Sequence, residues 1–548
     1  MKKIHAIVLL AVLLGLPPET RGGAVSSPLA DRLAAAAPRD RLAILITLVE
    51  QADTGTVTGQ RRDRRQGINR LLRATAASSQ GPLLAFLRQA GAVGVRPFWI
   101  VNSVAATVPA KAVERIAARP EVANVRLDGS LSLPRSRPVQ ATTPEWNLDA
   151  VKAPVLWAMG HTGEGVVVAA MDTGVDADHP DLGPRWRGGI NSWYDPHGEH
   201  ASPHDSDGHG TQVMSVMVGG EAGGSAIGMA PGATWIAVKV FDDTGNASYS
   251  DIHSGFQWIL DPDDDPATDD APDVVNGSWG YDTFLDQCFT EFQPDVQALK
   301  AAGIGVVFSA GNNGPGSSTS VSPANYPESV GVGSVDDTLA IVDSSGRGPS
   351  ACGGGIFPEL VAPGMSVRAA DLTFGGLFPD SYVTVSGTSI AAPHVAGAMA
   401  LLLSAAPQLT VSQLEAALTG NTVDLGDSGP DNTYGNGLLD VDAAYTSFTR
   451  HLLQVTMAGN GSGGVTASPS GISCPGDCEG EYIEGTTVTL TAVPDPHSRF
   501  AGWSGACSGT TPTCELPFTG PATVTAYFSP FPWHLFLTPI TGGTSGDH

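Results

Sequence analysis

Basic charge is scarce in this chain: 29 lysines and arginines stand against 55 aspartates and glutamates, a formal net charge of −26 over 548 residues. Neutralising phosphate takes basic surface, so nucleic acid and anionic membrane are excluded as principal partners. Long apolar runs are lacking too. After residues 6–16 no stretch approaches about 18 uncharged apolar residues, so no membrane span is expected and the mature chain is expected to be soluble. Cysteine is sparse, six in all with four crowded near the C-terminus. None closely follows the first apolar run, which excludes a lipid anchor there. Glycine (67) and proline (41) are by contrast abundant, about a fifth of the chain against an average of roughly 12%. Such a chain is loop-rich without being disordered. Its length exceeds what one core organises, which points to two or three domains.

Met1-Lys-Lys-Ile-His5 leads into the apolar run, followed by Pro17-Pro18 and the small residues Gly22-Gly-Ala24. The pattern reads as a secretory signal over residues 1–24 with cleavage near Ala24, too short for a membrane span. Export makes the cysteines disulfide candidates. Residues 25–138 then carry 17 Lys/Arg and 8 Asp/Glu, net +9, whereas 139–548 are net −37. In the first piece, residues 42–48 are strand-like, 61–90 have an arginine-rich helical period, and 98–108 alternate as one strand. A short helix at 110–118 and a strand at 122–127 complete a small α/β unit. Residues 131–140 form a Pro- and Arg-containing linker. Over 139–447, buried-type strands at 165–170, 235–240, 273–278, 304–309 and 330–333 alternate with helical runs, which predicts a mostly parallel sheet covered by helices. Alternating Thr/Val segments with glycine turns predict a small all-β domain at 448–530, and 531–548 read as a flexible tail.

Three short segments carry chemistry. Asp172 stands at a carboxyl strand end, His209 in DGHGT opens a helix after a glycine turn, and Ser389 in SGTS starts a long apolar helix. Singly, each is a cap or turn residue. Together they supply a nucleophile, its base, and a carboxylate that orients the base, as acyl transfer requires. The order Asp, His, Ser differs from that of the chymotrypsin and α/β-hydrolase families.

MDTGVDADHPDL around Asp172, GHGTQV around His209 and GTSIAAPHVAG around Ser389 resemble the three motifs of the subtilisin-like serine proteases (subtilases, peptidase family S8) over residues 143–445. Trp146-Asn-Leu-Asp and Gln212 most resemble the bacillopeptidase F group within it. The resemblance implies a subtilisin-like α/β fold and a serine endopeptidase with Asp172, His209 and Ser389 as catalytic residues. VVFSAGN resembles the stretch ending in the oxyanion-hole asparagine, here Asn312. VVNGSWG resembles the strand that pairs with extended substrate, so Ser278, Trp279 and Gly280 are its substrate-binding candidates. Around Val321 and Ser322, aligned with the pocket floor, no acidic residue stands nearby in sequence, which favours apolar side chains before the scissile bond.

No cofactor is needed for this chemistry. A structural calcium is left open, because Ala222 stands where relatives have a ligating Asn, with Asp181 a remaining ligand. Residues 261–273, with seven Asp in 13, are a solvated acidic loop or else hold a hard cation. The N-terminal unit resembles the inhibitory, ferredoxin-like prodomain of subtilases, so the partners are peptide or protein substrates and the chain's own prodomain. Maturation is expected between Ser136 and Thr143. The C-terminal piece resembles bacterial surface repeats with a Gly-Trp-Ser-Gly motif. There Cys474–Cys478 and Cys507–Cys514 are the expected bridges, and Trp503 is a core residue or a glycan platform. The expectation is a secreted, extracellular zymogen; the alternatives are a surface adhesion protein acting through its C-terminal module, and an inactive subtilase-fold binding protein.

Overall fold

The computed structural model describes residues 23–59, 61–133, 146–374 and 381–531. The expected signal up to residue 22, the maturation span 136–143 and the tail beyond Phe531 lie outside them.

The N-terminal unit runs β1 (Ala24–Val25), α1 (Ser27–Ala35), β2 (Arg41–Leu48), α2 (Arg61–Ser79), α3 (Gly81–Gln89), β3 (Val93–Phe98), β4 (Ser103–Pro109), α4 (Val113–Ala117), β5 (Val122–Leu127) and β6 (Ser130–Ser132). The first sheet has the order β1-β5-β2-β4-β3. From β2 onward this is the βαββαβ, ferredoxin-like arrangement. Two expectations need correcting. The strand predicted at 98–108 is a hairpin, β3 and β4, because the chain turns through Asn102 at φ 38°, a left-handed conformation that asparagine tolerates. The helix predicted at 61–90 divides at Gly81-Pro82, where proline fits the first turn of α3.

A larger α/β unit follows: α5 (Trp146–Ala150), α6 (Ala153–Ala158), β7 (Val167–Asp172), β8 (Trp193–Tyr194), α7 (His209–Val218), β9 (Thr234–Lys239), β10 (Asn246–Ser248), α8 (Tyr249–Leu260), β11 (Val274–Gly277), α9 (Gln293–Ala301), β12 (Gly305–Ser309), β13 (Val330–Val335), β14 (Leu360–Pro363), β15 (Val367–Ala370), β16 (Tyr382–Val385) and α10 (Thr388–Ala405). Seven strands form one parallel sheet of order β14-β13-β12-β11-β7-β9-β8. Strands β11 to β14 are buried along their whole length, as a sheet with helices on both faces demands. Val213, Met217, Ala391 and Leu402 of α7 and α10 cover one face. Ile252, Phe256, Val296 and Leu299 of α8 and α9 cover the other. The outer side of that second layer receives Leu45, Phe98 and Ala105 of the N-terminal sheet. Helix α10 is, by length and composition, apolar enough to cross a membrane, contrary to the sequence expectation, but 83% of it is buried inside the protein. It is uncharged because it is a core helix.

The C-terminal strands β17 (Arg450–Gly459), β18 (Gly463–Ser468), β19 (Ser473–Cys474), β20 (Glu479–Ile483), β21 (Thr487–Pro494), β22 (Ser498–Gly505), β23 (Thr513–Pro517) and β24 (Ala522–Pro530) form two four-stranded sheets around one apolar core. Both expected bridges, Cys474–Cys478 and Cys507–Cys514, are present, and Cys288–Cys352 joins two loops of the α/β unit. Trp503 is 6% exposed and its indole N–H donates to the Thr511 carbonyl at 3.0 Å. It packs in the core and offers no glycan platform.

Candidate active site

Asp172 is the last residue of β7, as its place at a carboxyl strand end implied, and it is buried at the carboxyl end of the parallel sheet, where such sheets place their sites. Gly208, at φ 99°, turns the chain so that His209 opens α7. His209 Nδ1–H donates to Asp172 Oδ1 at 2.7 Å, and Thr173 N donates to the same oxygen at 2.8 Å. Burial lowers the imidazole pKa, but Asp172, by charge and hydrogen bond, with Asp207 and Asp205 beyond it, more than reverses this and holds it above the ordinary value.

Asp205 escaped the sequence reading. Its carboxylate accepts the backbone N–H groups of Asp207, Gly208 and Thr211 at 3.0, 2.9 and 2.9 Å and the Thr211 hydroxyl at 2.7 Å, so it braces the turn that presents His209. The signal was local: an Asp two to three residues before a glycine turn commonly caps its own backbone.

Gly387, at φ 148°, precedes α10, and Ser389 is its second residue. The Ser389 hydroxyl donates to the Ser278 carbonyl at 3.3 Å, and the Ser278 hydroxyl donates to the Ser389 carbonyl at 2.7 Å. No Ser389–His209 hydrogen bond is made among the described residues; such contacts tighten when substrate binds. Asn312 is exposed at the end of β12, and its Oδ1 accepts from Thr388 N at 2.9 Å and Thr388 Oγ1 at 3.1 Å. That leaves its Nδ2–H₂ turned outward. A side chain at Gly387 would come within 3.6 Å of this amide and 3.7 Å of Ser389 N. The bare glycine therefore leaves a space between two N–H donors at the positive end of an 18-residue helix, suited to a developing oxyanion. His394, one helical turn further on, is a structural link. Its Nδ1–H donates to Ile390 O at 2.9 Å, and Asn147 donates to Nε2 at 2.8 Å. Burial lowers its pKa to about 4, so it stays neutral.

The substrate-binding candidates divide. Trp279 is 1% exposed, and its indole N–H donates to Met171 O at 2.8 Å; its ring belongs to the core beside Phe256 and Phe308. Ser278 is buried as well. Neither side chain is exposed to meet a peptide. A side chain on Gly280 or on Gly311 would come within 3.0 Å of Val321 Cγ2, so the Val321 isopropyl group lies between two bare backbones and narrows that space. The fold also brings in an acidic group that proximity in sequence did not reveal: Asn313, next to Asn312, donates to Asp282 at 3.2 Å. Strand β10 pairs antiparallel with β6, Ala247 facing Leu131, and Leu133 N donates to Gly245 O at 3.0 Å. A segment of the N-terminal unit thus pairs with the α/β unit as the second strand of a two-stranded sheet.

The loop at 219–225, where the family resemblance would put calcium, is tied by the chain itself. Asp181 accepts from Ala222 N at 2.6 Å and from the Tyr382 hydroxyl at 2.6 Å. Arg368 donates to Gly223 O at 3.2 Å and Ser225 Oγ at 2.9 Å, with its guanidinium 4.3 Å over the Tyr382 ring. Both carboxylate oxygens are committed and a cation side chain occupies the loop, so these residues do not fit a calcium ion.

The Subtilase family profile matches residues 163–437, and that of the divergent InlB B-repeat domain matches 453–532. Bacillopeptidase F of Bacillus subtilis (strain 168) is 36% identical over 425 residues, 70% of this chain but only 29% of that protein's length. Subtilisin E of the same organism is 32% identical over 406 residues, covering 74% of this chain and 96% of that protein. Subtilisin of Bacillus pumilus is 35% identical over 307 residues, 56% of this chain and 99% of its own. On the span of the family match and the near-complete coverage of the subtilisins, the chain belongs to the subtilase family of serine-type endopeptidases.

Proposed function

We propose that the chain is a secreted endopeptidase made as a zymogen, in which Ser389 attacks the scissile carbonyl and His209 takes its proton. Asp172 holds the ring in the tautomer that leaves Nε2 free to accept and steadies the imidazolium that forms. The oxyanion is received by Asn312 Nδ2–H₂ and Ser389 N–H. His209, as imidazolium, then protonates the leaving amine, and water repeats the cycle on the acyl-enzyme. The chemistry uses no cofactor and draws on no calcium at Asp181. The single observation that carries this reading is the buried Asp172–His209 hydrogen bond of 2.7 Å, set beside a helix-opening serine. The N-terminal unit, residues 25–138, acts as the inhibitory prodomain, with β6 on the substrate edge until the linker beyond it is cut. The adhesion alternative gains no support, since Trp503 is inside the module. Labelling with an active-site fluorophosphonate tests the reading. One equivalent should react at Ser389, none in Ser389→Ala, and absence of labelling in a processed chain would leave a subtilase-fold binding protein.

A further inference from the structure

Helix α2 packs between the two units. Its Ile68 and Leu72 lie in the apolar cluster that joins Leu45, Phe98 and Ala105 of the N-terminal sheet to α8 and α9, apart from the cluster that α1, α3 and α4 cover. Its polar side faces the loop at 261–273, which holds seven of the chain's aspartates. Arg61 Nη1 donates to Asp273 Oδ1 at 2.7 Å. Arg65, 6% exposed, donates to Asp269 and Asp273 at 3.3 and 3.1 Å and to the carbonyls of Ala271 and Pro272 at 3.2 and 2.9 Å. Arg73 reaches Asp261 and Asp264, both at 2.5 Å, and lies 4.3 Å over the Trp99 ring. Gln66 adds a bond to Ala267 O at 2.6 Å.

The solvated reading holds for the outer part of the loop, where Asp263, Asp264, Asp265 and Asp269 are exposed. Its two ends are engaged by the chain, and so are the carboxylates that come closest to a cation cage. Asp261, Asp263 and Asp270 have oxygens within 4.8 Å of one another, but Arg73 holds Asp261 and Asn191 holds Asp270 at 2.9 Å. Carboxylates this dense repel one another, and the planar guanidinium fork is the side chain that satisfies carboxylates and carbonyls together. The partners are about 190 to 210 residues apart, so no local folding requirement explains the match between an arginine-rich helix and an aspartate-rich loop.

We infer that the loop at 261–273 is the recognition surface for α2, an electrostatic latch by which the peptidase domain holds its own prodomain and which sets how readily that prodomain leaves. The inference rests on the prodomain reading above. Because the outer pairs are partly exposed, the latch weakens as salt rises, while the apolar contacts of β3, β4 and α2 do not.

The test uses the full chain in the Ser389→Ala background, where processing is blocked. Amide exchange across residues 61–79 should speed up at least about tenfold in Asp264→Arg/Asp269→Arg, as expected for loss of partly buried ion pairs, with β7, β9, β11 and β12 unchanged as the measure of folding. Asp264→Asn/Asp269→Asn, which removes the two charges without reversing them, should give a smaller rise, and raising salt should speed exchange in the parent more than in the loop variant. In the Ser389 chain the same loop variant should shorten the lag before peptidase activity appears. Exchange at 61–79 that is indifferent to the loop charges or, in the parent, to salt overturns the latch. Raised exchange with an unaltered lag in an active enzyme overturns its control of release. A Ser389 chain without peptidase activity, whatever its exchange, overturns instead the function on which the inference rests.

Discussion

Asn312 is aimed by Thr388: the backbone N–H and hydroxyl of Thr388 both donate to Asn312 Oδ1, at 2.9 and 3.1 Å, and so turn the amide N–H₂ toward the space over Gly387. A group oriented before substrate arrives needs no reorganisation when charge develops. Asn312→Ala should therefore lower kcat by about 10²- to 10³-fold with KM nearly unchanged, because the donor acts on the transition state. Thr388→Val keeps the backbone donor and should cost much less. Steady-state kinetics on one peptide substrate checks both; a raised KM at unchanged kcat would assign Asn312 to binding.

Ser389→Ala should give a folded chain that neither hydrolyses protein substrates nor removes its N-terminal unit. Residual rate from the oxyanion space, about 10³ over water, is invisible in ordinary assays. Complete processing of the purified variant without added protease would refute the nucleophile.

The base acts only when neutral. Since Asp172, against the pull of burial, holds the His209 pKa above the ordinary value, kcat should rise with pH through a midpoint above about 6.5. Asp172→Asn removes that charge, so the midpoint should move down while kcat falls by about 10⁴-fold. A pH profile of kcat measures both shifts, and a midpoint unmoved by Asp172→Asn would contradict the pairing.

His253 lies buried between two carboxylates, Nδ1 to Asp295 and Nε2 to Glu291, each at 2.9 Å. Burial opposes its charge, but the two acids raise its pKa to about 9. A folded pKa above the unfolded value stabilises the low-pH side. The contribution is complete below about pH 6.5 and is lost as pH rises toward about 9, amounting to ~3 kcal/mol across that window. Urea unfolding of the Ser389→Ala chain should show this loss, and His253→Gln should flatten that part of the curve.

At the loop 219–225, replacing Asp181 by Asn should leave any calcium dependence of Tm as it was. Tyr382→Phe should lower stability by about 1–3 kcal/mol, because a buried carboxylate oxygen loses its donor. Thermal scans with calcium and with chelator separate the two; a calcium-dependent Tm that disappears in Asp181→Asn would restore a metal site there.

What the amino-acid sequence determined by itself is what short segments encode. Asp172 at a strand end, the glycine turn before His209 and the glycine before Ser389 each depend on a few residues' own backbone preferences, so the candidate reacting side chains and the parallel sheet beneath them could be read directly. The apolar strands were legible for the same reason, since burial on both faces leaves a continuous apolar run. The hairpin at Asn102 was not, because apolar residues on both sides of the turn masked it. Only the tertiary structure decided that the Trp279 ring is core, that Val321 fills the space between Gly280 and Gly311, and that Asp181 is held by Tyr382. It alone assigned α2 to the acidic loop and joined Cys288 to Cys352. Each of these is a contact between segments far apart along the chain, and charge, apolarity or a thiol states what a residue can pair with, not which distant residue the fold will bring to it.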